Sequence, residues 1–283
     1  MSQRFVRGMD VSKWQSPIQN FQAAPDEGLE FVYYRSGCGT DYPDPARLEM
    51  FTGYGKVGLL RGSYQWYKPS QNPLDQARKF VGDGLVEQCE LPPAGDFEDI
   101  TGMATKFVMY LLKEINRLRA IAGMKYFMFQ SVLNYADNVR MYLAEIERLS
   151  KRRPIIYSAQ NHWETYLAET ATWADNYSLW VSNPRKNAGP SVPFPWCPAD
   201  WDIWQWIYKG KGKRFGVGSL DLDMDIFNGS RDELEAWERA HRLEESYGTD
   251  IKFQRIGTQT HNLVMGSPEP CGGVYPSGTE VIW

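Results

Sequence analysis

Short apolar segments alternate with longer stretches of helical spacing along this chain. Residues 5–11 read as a first strand and 18–24 as a helix; 30–36 is a second strand and 46–54 a second helix. A third strand over 58–67 and a helix over 72–84 lead to a fourth strand that ends in Asp96-Phe97-Glu98. Residues 103–120 and 133–149 carry apolar positions at helical spacing, followed by a strand at 154–158, a helix at 161–167 and strands at 178–182, 202–207 and 220–227. Repeated β-α units with near-continuous apolar strands predict a parallel sheet covered on both faces. About eight such strands predict a closed or nearly closed barrel, irregular and TIM-barrel-like, of the α/β class. In such barrels chemistry gathers at the carboxyl ends of the strands. Asp10 ends the first strand, Asp96 and Glu98 end the fourth, and Asp223 lies in the last.

Asp96 and Glu98 are the most informative of these. Residues i and i+2 of a strand face the same way, roughly 6.6 Å apart along the backbone. Two carboxyl groups held like that suit acid-base cleavage of a glycosidic bond. The plain alternative is two solvated acids in a strand-end turn.

Composition narrows the field. The 283 residues fit one large domain over 1–240, with a polar extension containing Gly and Pro over 241–283. A net charge of -4 lacks the basic excess of a nucleic-acid binder, so eleven tryptophans and 14% aromatics need another use. Part of that use is core, and part is the stacking surface that a sugar ring's apolar face requires. The first residues lack the apolar segment of a secretory signal, and no run approaches the roughly 18 apolar residues of a membrane span. No membrane insertion is expected. Cys38, Cys89, Cys197 and Cys271 stand far apart and read as scattered thiols. His162, His241 and His261 show no metalloprotease spacing, so neither a metal nor another cofactor is expected.

Two motifs fail on context. Gly53-Tyr54-Gly55-Lys56-Val57-Gly58 has dinucleotide-loop spacing, but a helix precedes it and a strand follows, the reverse of what that loop needs. It reads as a helix-to-strand turn. Asp221-Leu222-Asp223-Met224-Asp225 starts like a calcium loop, yet position six is Ile226 and position twelve Asp232. The alternation of Leu220, Leu222, Met224 and Ile226 with three acids describes a strand with one apolar and one acidic face. Asp223 is assigned to the site, and Asp221 and Asp225 to rim or solvent. No nucleophile elbow of a serine hydrolase occurs.

Gly8-Met9-Asp10-Val11-Ser12-Lys13-Trp14-Gln15, Asp96-Phe97-Glu98, Pro154-Ile155-Ile156-Tyr157-Ser158, Leu179-Trp180-Val181, Trp204-Gln205-Trp206 and Leu222-Asp223-Met224-Asp225-Ile226-Phe227-Asn228-Gly229 follow one another in order. Together, over about residues 4–240, they resemble the glycoside hydrolase family 25 muramidases. Phe31-Val32-Tyr33-Tyr34-Arg35 and Gly62-Ser63-Tyr64-Gln65-Trp66 look like that family's second and third strands. The resemblance implies a barrel that cleaves the β-1,4 bond between N-acetylmuramic acid and N-acetylglucosamine, so that the partner is the glycan strand of bacterial peptidoglycan. It implies Glu98 as general acid/base with Asp96, Asp10 and Asp223 around it. It places Tyr64, Trp66, Tyr157, Trp180 and Gln205 along the sugar groove, and Arg35 either against an acid or under the rim.

The interval between Glu98 and Pro154 is longer than the family needs and leaves room for an extra helix near 133–149. Residues 262–283 resemble the start of an SH3-like wall-binding segment. Nearby like charges should push the Glu98 pKa upward. Retention assisted by the substrate's 2-acetamido group is the preferred chemistry, with a covalent aspartyl intermediate as its competitor. The rival functions are an inactive glycan-binding barrel and hydrolysis of another N-acetylated polymer such as chitin. A wall-degrading chain without a leader suits a phage lysin made in the host cytoplasm or carried on a virion.

Overall fold

A computed structural model describes residues 5–99, 135–168, 170–184 and 189–243. The helix expected over 103–120 and most of the 241–283 extension lie outside the described residues. Nine strands form one sheet: β1 Val6–Val11, β2 Phe31–Cys38, β3 Tyr42–Pro43, β4 Leu60–Trp66, β5 Ala94–Asp96, β6 Ile155–Ala159, β7 Leu179–Ser182, β8 Ile203–Lys211 and β9 Asp221–Phe227. β1 pairs with both β2 and β9, so eight strands close into a barrel in the order β1-β2-β4-β5-β6-β7-β8-β9, with β3 appended to the end of β2. All eight strands expected from the sequence are in the barrel.

Their directions differ from expectation at one place. β1, β2 and β4 through β8 run parallel around the barrel, but β9 is antiparallel to β8 and to β1. Only residues 212–220 connect β8 to β9, too few for the dozen or more residues of a parallel crossover. The reversal matters for the site. Asp223, near the start of β9, becomes the Cα partner of Asp10, near the end of β1.

Among the described residues six α-helices accompany the strands: α1 Ala23–Asp26, α2 Arg47–Lys56, α3 Pro73–Asp83, α4 Tyr135–Ser150, α5 Gln160–Tyr166 and α6 Arg231–Ala240. The helix expected over 18–24 is reduced to the single turn α1, and a 3-10 turn at Lys13–Gln15 precedes it. Pro25 explains the first: proline lacks a donor and is tolerated only in a first turn, so a helix containing it must begin just before it. The glycine-rich run 53–58 is the expected helix-to-strand turn. Gly53 lies against the Phe21 ring, where a Cβ would collide, and Gly58 has φ +80°.

The extra helix expected near 133–149 is α4. It buries Val139, Tyr142, Leu143 and Ile146 in a cluster with Phe80 of α3 and Phe97. The Tyr142 hydroxyl also donates to Gln65 Oε1 of β4 at 2.9 Å. Helix α6 closes the barrel end opposite the acids. Its Leu234 and Trp237 join Val6, Phe31, Ile155, Ile203 and Phe227 in one buried cluster, and Trp237 Nε1 donates to Asp202 at 2.9 Å. A capping box between Ser230 and Glu233 starts this helix.

Candidate active site

Strand alternation positions the acids. Ala94 belongs to the barrel interior, Phe97 packs outward against Tyr67 and Tyr142, and Asp96 and Glu98 therefore share the inner face. Asp96 stands opposite Trp66 of β4 and Tyr157 of β6. Beyond the strand end, Phe97 N donates to Tyr157 O at 2.9 Å and Ser158 Oγ donates to Phe97 O at 2.7 Å, which holds Glu98 against β6.

One cleft at this rim is lined by Asp10, Asp96, Glu98 and Asp223, by Tyr64, Trp66, Tyr157 and Trp180, and by Gln205 and Arg35. Every residue named from the sequence thus borders a single cavity. Ser12, Trp14 and Gln15 line it as well. They were not singled out, although they directly follow Asp10 in the first motif.

Burial, then crowding for all but Asp10, raises the pKa of each of these carboxyls. Burial, then the charges of Asp10 and Asp99, push Glu98 up to about 7, against the lowering influence of the nearby Tyr157 hydroxyl. Burial, then Asp10 and Glu98, push Asp223 up to about 8. Asp10 rises to about 6 through burial, restrained by hydrogen bonds with Gln205 and Asp225 and by Arg35. Asp96 is pushed well up by burial and then by Glu98, and its buried Oδ1 has no hydrogen-bond partner.

Asp225 is not the rim or solvent group expected from the sequence. It is fully buried, accepts from Trp180 Nε1 at 2.9 Å, and is hydrogen-bonded to Asp10, with its pKa raised well above the ordinary value by burial and then by Asp10. The polar face of β9 turns into the barrel, while Leu222 and Met224 pack outward beside Val217 and Phe215. Asp221 is exposed, as expected.

Several lining groups are tied up internally. Gln205 Oε1 accepts from Tyr157 at 2.9 Å and from Ser182 at 2.7 Å, and its Nε2 donates to Asp10 Oδ2 at 2.7 Å. Trp180 is 2% exposed, wedged among Tyr33, Tyr64 and Tyr157 at centroid distances of 4.7, 6.2 and 4.8 Å. It forms floor rather than wall. Arg35 takes the first of its two expected positions: Nε and Nη2 both reach Asp44 Oδ2 at 2.8 Å, and that pair is buried.

Of the cysteines, Cys38 and Cys89 are free thiols, whereas Cys197 is disulfide-bonded and departs from the scattered-thiol expectation.

A closed barrel with neutralised and ionisable carboxyls crowded at one rim has the make-up of a glycoside hydrolase. The family model for glycosyl hydrolases family 25 matches residues 9–214, and the chain belongs to that family. Lysozyme M1 of Streptomyces globisporus is 27% identical over 237 residues, covering 82% of this chain and 70% of its own. An uncharacterised protein of Escherichia coli K12, YegX, is 25% identical over 236 residues, covering 82% and 73%. Among solved structures, a bacterial lysozyme from Streptomyces coelicolor superposes with a TM-score of 0.65 at 26% identity, covering 82% of this chain and 96% of that one.

Proposed function

We propose that this enzyme is an N-acetylmuramidase of bacterial peptidoglycan, with Glu98 as general acid/base and Asp96 as the residue that manages the 2-acetamido group. The observation that carries this reading is Glu98 on the inner face, its pKa raised to about 7, beside a buried Asp96 with an unpartnered oxygen. A carboxyl that keeps its proton near neutrality can give it to a leaving oxygen.

Glu98 donates its proton to the glycosidic oxygen as the bond to the anomeric carbon breaks. The acetamido carbonyl oxygen attacks that carbon from the opposite face and closes a cyclic oxazolinium. Asp96 Oδ1 accepts the acetamido N–H, and the positive charge growing beside Asp96 favours its ionised form. Glu98, now a carboxylate, takes a proton from the incoming water, which opens the ring with net retention. Asp10, raised only to about 6, supplies the negative charge beside Glu98, while Gln205 and Arg35 fix their neighbours. Tyr64, Trp66 and Trp14 supply the apolar faces on which sugar rings stack.

Digestion of purified peptidoglycan should release reducing N-acetylmuramic acid ends, with the β anomer formed first by NMR. Reducing N-acetylglucosamine ends would overturn the bond assignment, an α anomer the retaining chemistry, and equal turnover of chitin the substrate. The rate also depends on the Glu98 proton, so kcat/KM should fall about tenfold per pH unit above about 7. Tyr157→Phe removes a nearby hydroxyl that favours the Glu98 carboxylate, and so moves that alkaline limb upward. A limb that stays in place would detach it from Glu98.

A further inference from the structure

Lys13 is a cation beside the cleft lining that no acid pairs among the described residues. It lies between Ser12 and Trp14, both of which line the cleft, three residues after Asp10. Its Nζ sits 4.6 Å from the Trp14 ring centroid and 4.8 Å from that of Tyr42, and among the described residues it makes no ion pair. Arg35, the other cation at the cleft, is consumed by Asp44.

The position of Lys13 is fixed from both sides. Its backbone N–H donates to Asp44 Oδ2 at 3.1 Å, the same oxygen that holds Arg35. The capping box between Ser12 and Gln15 locks the rest of the 3-10 turn. Two aromatic faces orient an ammonium without cancelling its charge, since they offer a quadrupole and not a counter-ion. The result is a held, half-buried positive charge against Trp14, a ring that lines the acidic cleft.

A neutral glycan has no use for that charge. A glycan bearing carboxylates does, because Asp10 and the ionised fraction of Glu98 repel it over a range of about 8 Å at physiological salt. Resting on the muramidase reading, we propose that Lys13 forms a carboxylate-recognising position at the cleft mouth, taking an acidic substituent carried by the muramic acid ring. Two sources share that chemistry: the free lactyl carboxylate of a peptide-free strand, and the carboxylates of an attached stem peptide. Trp14, 68% exposed, provides the adjoining ring platform.

The test measures kcat and KM on three glycans: peptide-free with free lactyl carboxyl, the same after methyl esterification, and stem-bearing. For the protein as it is, esterification should raise KM about three- to tenfold, the worth of one partly exposed charge-assisted contact. Lys13→Met should erase the difference between free and esterified glycan, and Lys13→Arg should restore it. Loss confined to the stem-bearing glycan would assign the stem as the source. Equal loss on free and esterified glycan would overturn the proposal and leave Lys13 as a prop for the Trp14 ring. So would no loss on any acidic glycan.

Calorimetric binding of the same glycans in a Glu98→Gln background, with and without Lys13→Met, reads the contact without turnover. If no glycan is cleaved by the unaltered enzyme yet binding still discriminates the ester through Lys13, the muramidase reading fails and the recognition stands.

Discussion

Replacing Glu98 with glutamine is expected to lower kcat about 10²- to 10⁴-fold, the range a general acid contributes, while leaving the barrel folded. The side chain keeps its size and its amide oxygen, so packing gives no reason for collapse. On the proposed mechanism, what disappears is the proton delivered to the leaving oxygen and the carboxylate that later activates water. Product release measured as new reducing ends, beside a thermal unfolding curve, separates lost chemistry from lost structure. The replacement also removes one charge from the crowd, and the variant should unfold at a temperature no lower than the parent near pH 8. Activity within threefold of the parent would strip Glu98 of its role and move attention to Asp223, whose carboxyl is also neutral at physiological pH, with its pKa raised to about 8. Asp96→Asn is informative in a different way: on the proposed mechanism it keeps the proton donor and impairs the residue set against the acetamido group, so substrates lacking that group should distinguish the two variants.

The eight barrel strands were legible because apolar runs bounded by turns survive without knowledge of neighbours. The direction of β9 was not, since a strand's periodicity is the same in either sense and only the short 212–220 connection constrains it. Asp225 was misplaced for a related reason. Alternation shows that β9 has an acidic face and an apolar one, and the usual inference sends the acidic face to water. In this barrel the outer face is covered by helices and loops, so Leu222 and Met224 go outward and Asp225 goes inward, to Trp180 and Asp10. Helix α6 had a readable start in Ser230 and Glu233 but fell beyond the last strand and was not assigned. The charge at Lys13 was visible in the motif; that two rings hold it required Tyr42, 29 positions away, to be brought back by the β2–β3 hairpin.

The second large effect concerns stability against pH. Asp10, Glu98 and Asp223, with folded-state values of about 6, 7 and 8, bind protons that the unfolded chain has already released. Where the native state holds the extra protons, unfolding free energy decreases as pH rises. The contribution is complete below about pH 4 and is lost progressively as pH climbs through those three values. Neighbouring carboxyls share protons, so about one extra proton across the window from pH 5 to 8 is expected, worth about 4 kcal/mol at roughly 1.36 kcal/mol per pH unit. Glu90 works in the opposite direction: burial alone would raise it, but the Arg61 guanidinium and its hydrogen bonds hold it below the ordinary value, so its contribution is lost only in acid. Stability should therefore peak near pH 5 and decline toward pH 8, and denaturant unfolding at a series of pH values measures it. Asp223→Asn should flatten the decline, stabilising the protein by about 1–2 kcal/mol at pH 8 and by nothing at pH 4. An unfolding free energy that is level from pH 5 to 8, or an Asp223→Asn variant with the parent's slope, would mean that the acids at this rim do not share one buried field. That field is also what holds the Glu98 proton, so the enzyme would keep its reactivity by tolerating a less stable barrel in the pH range where the acid must work.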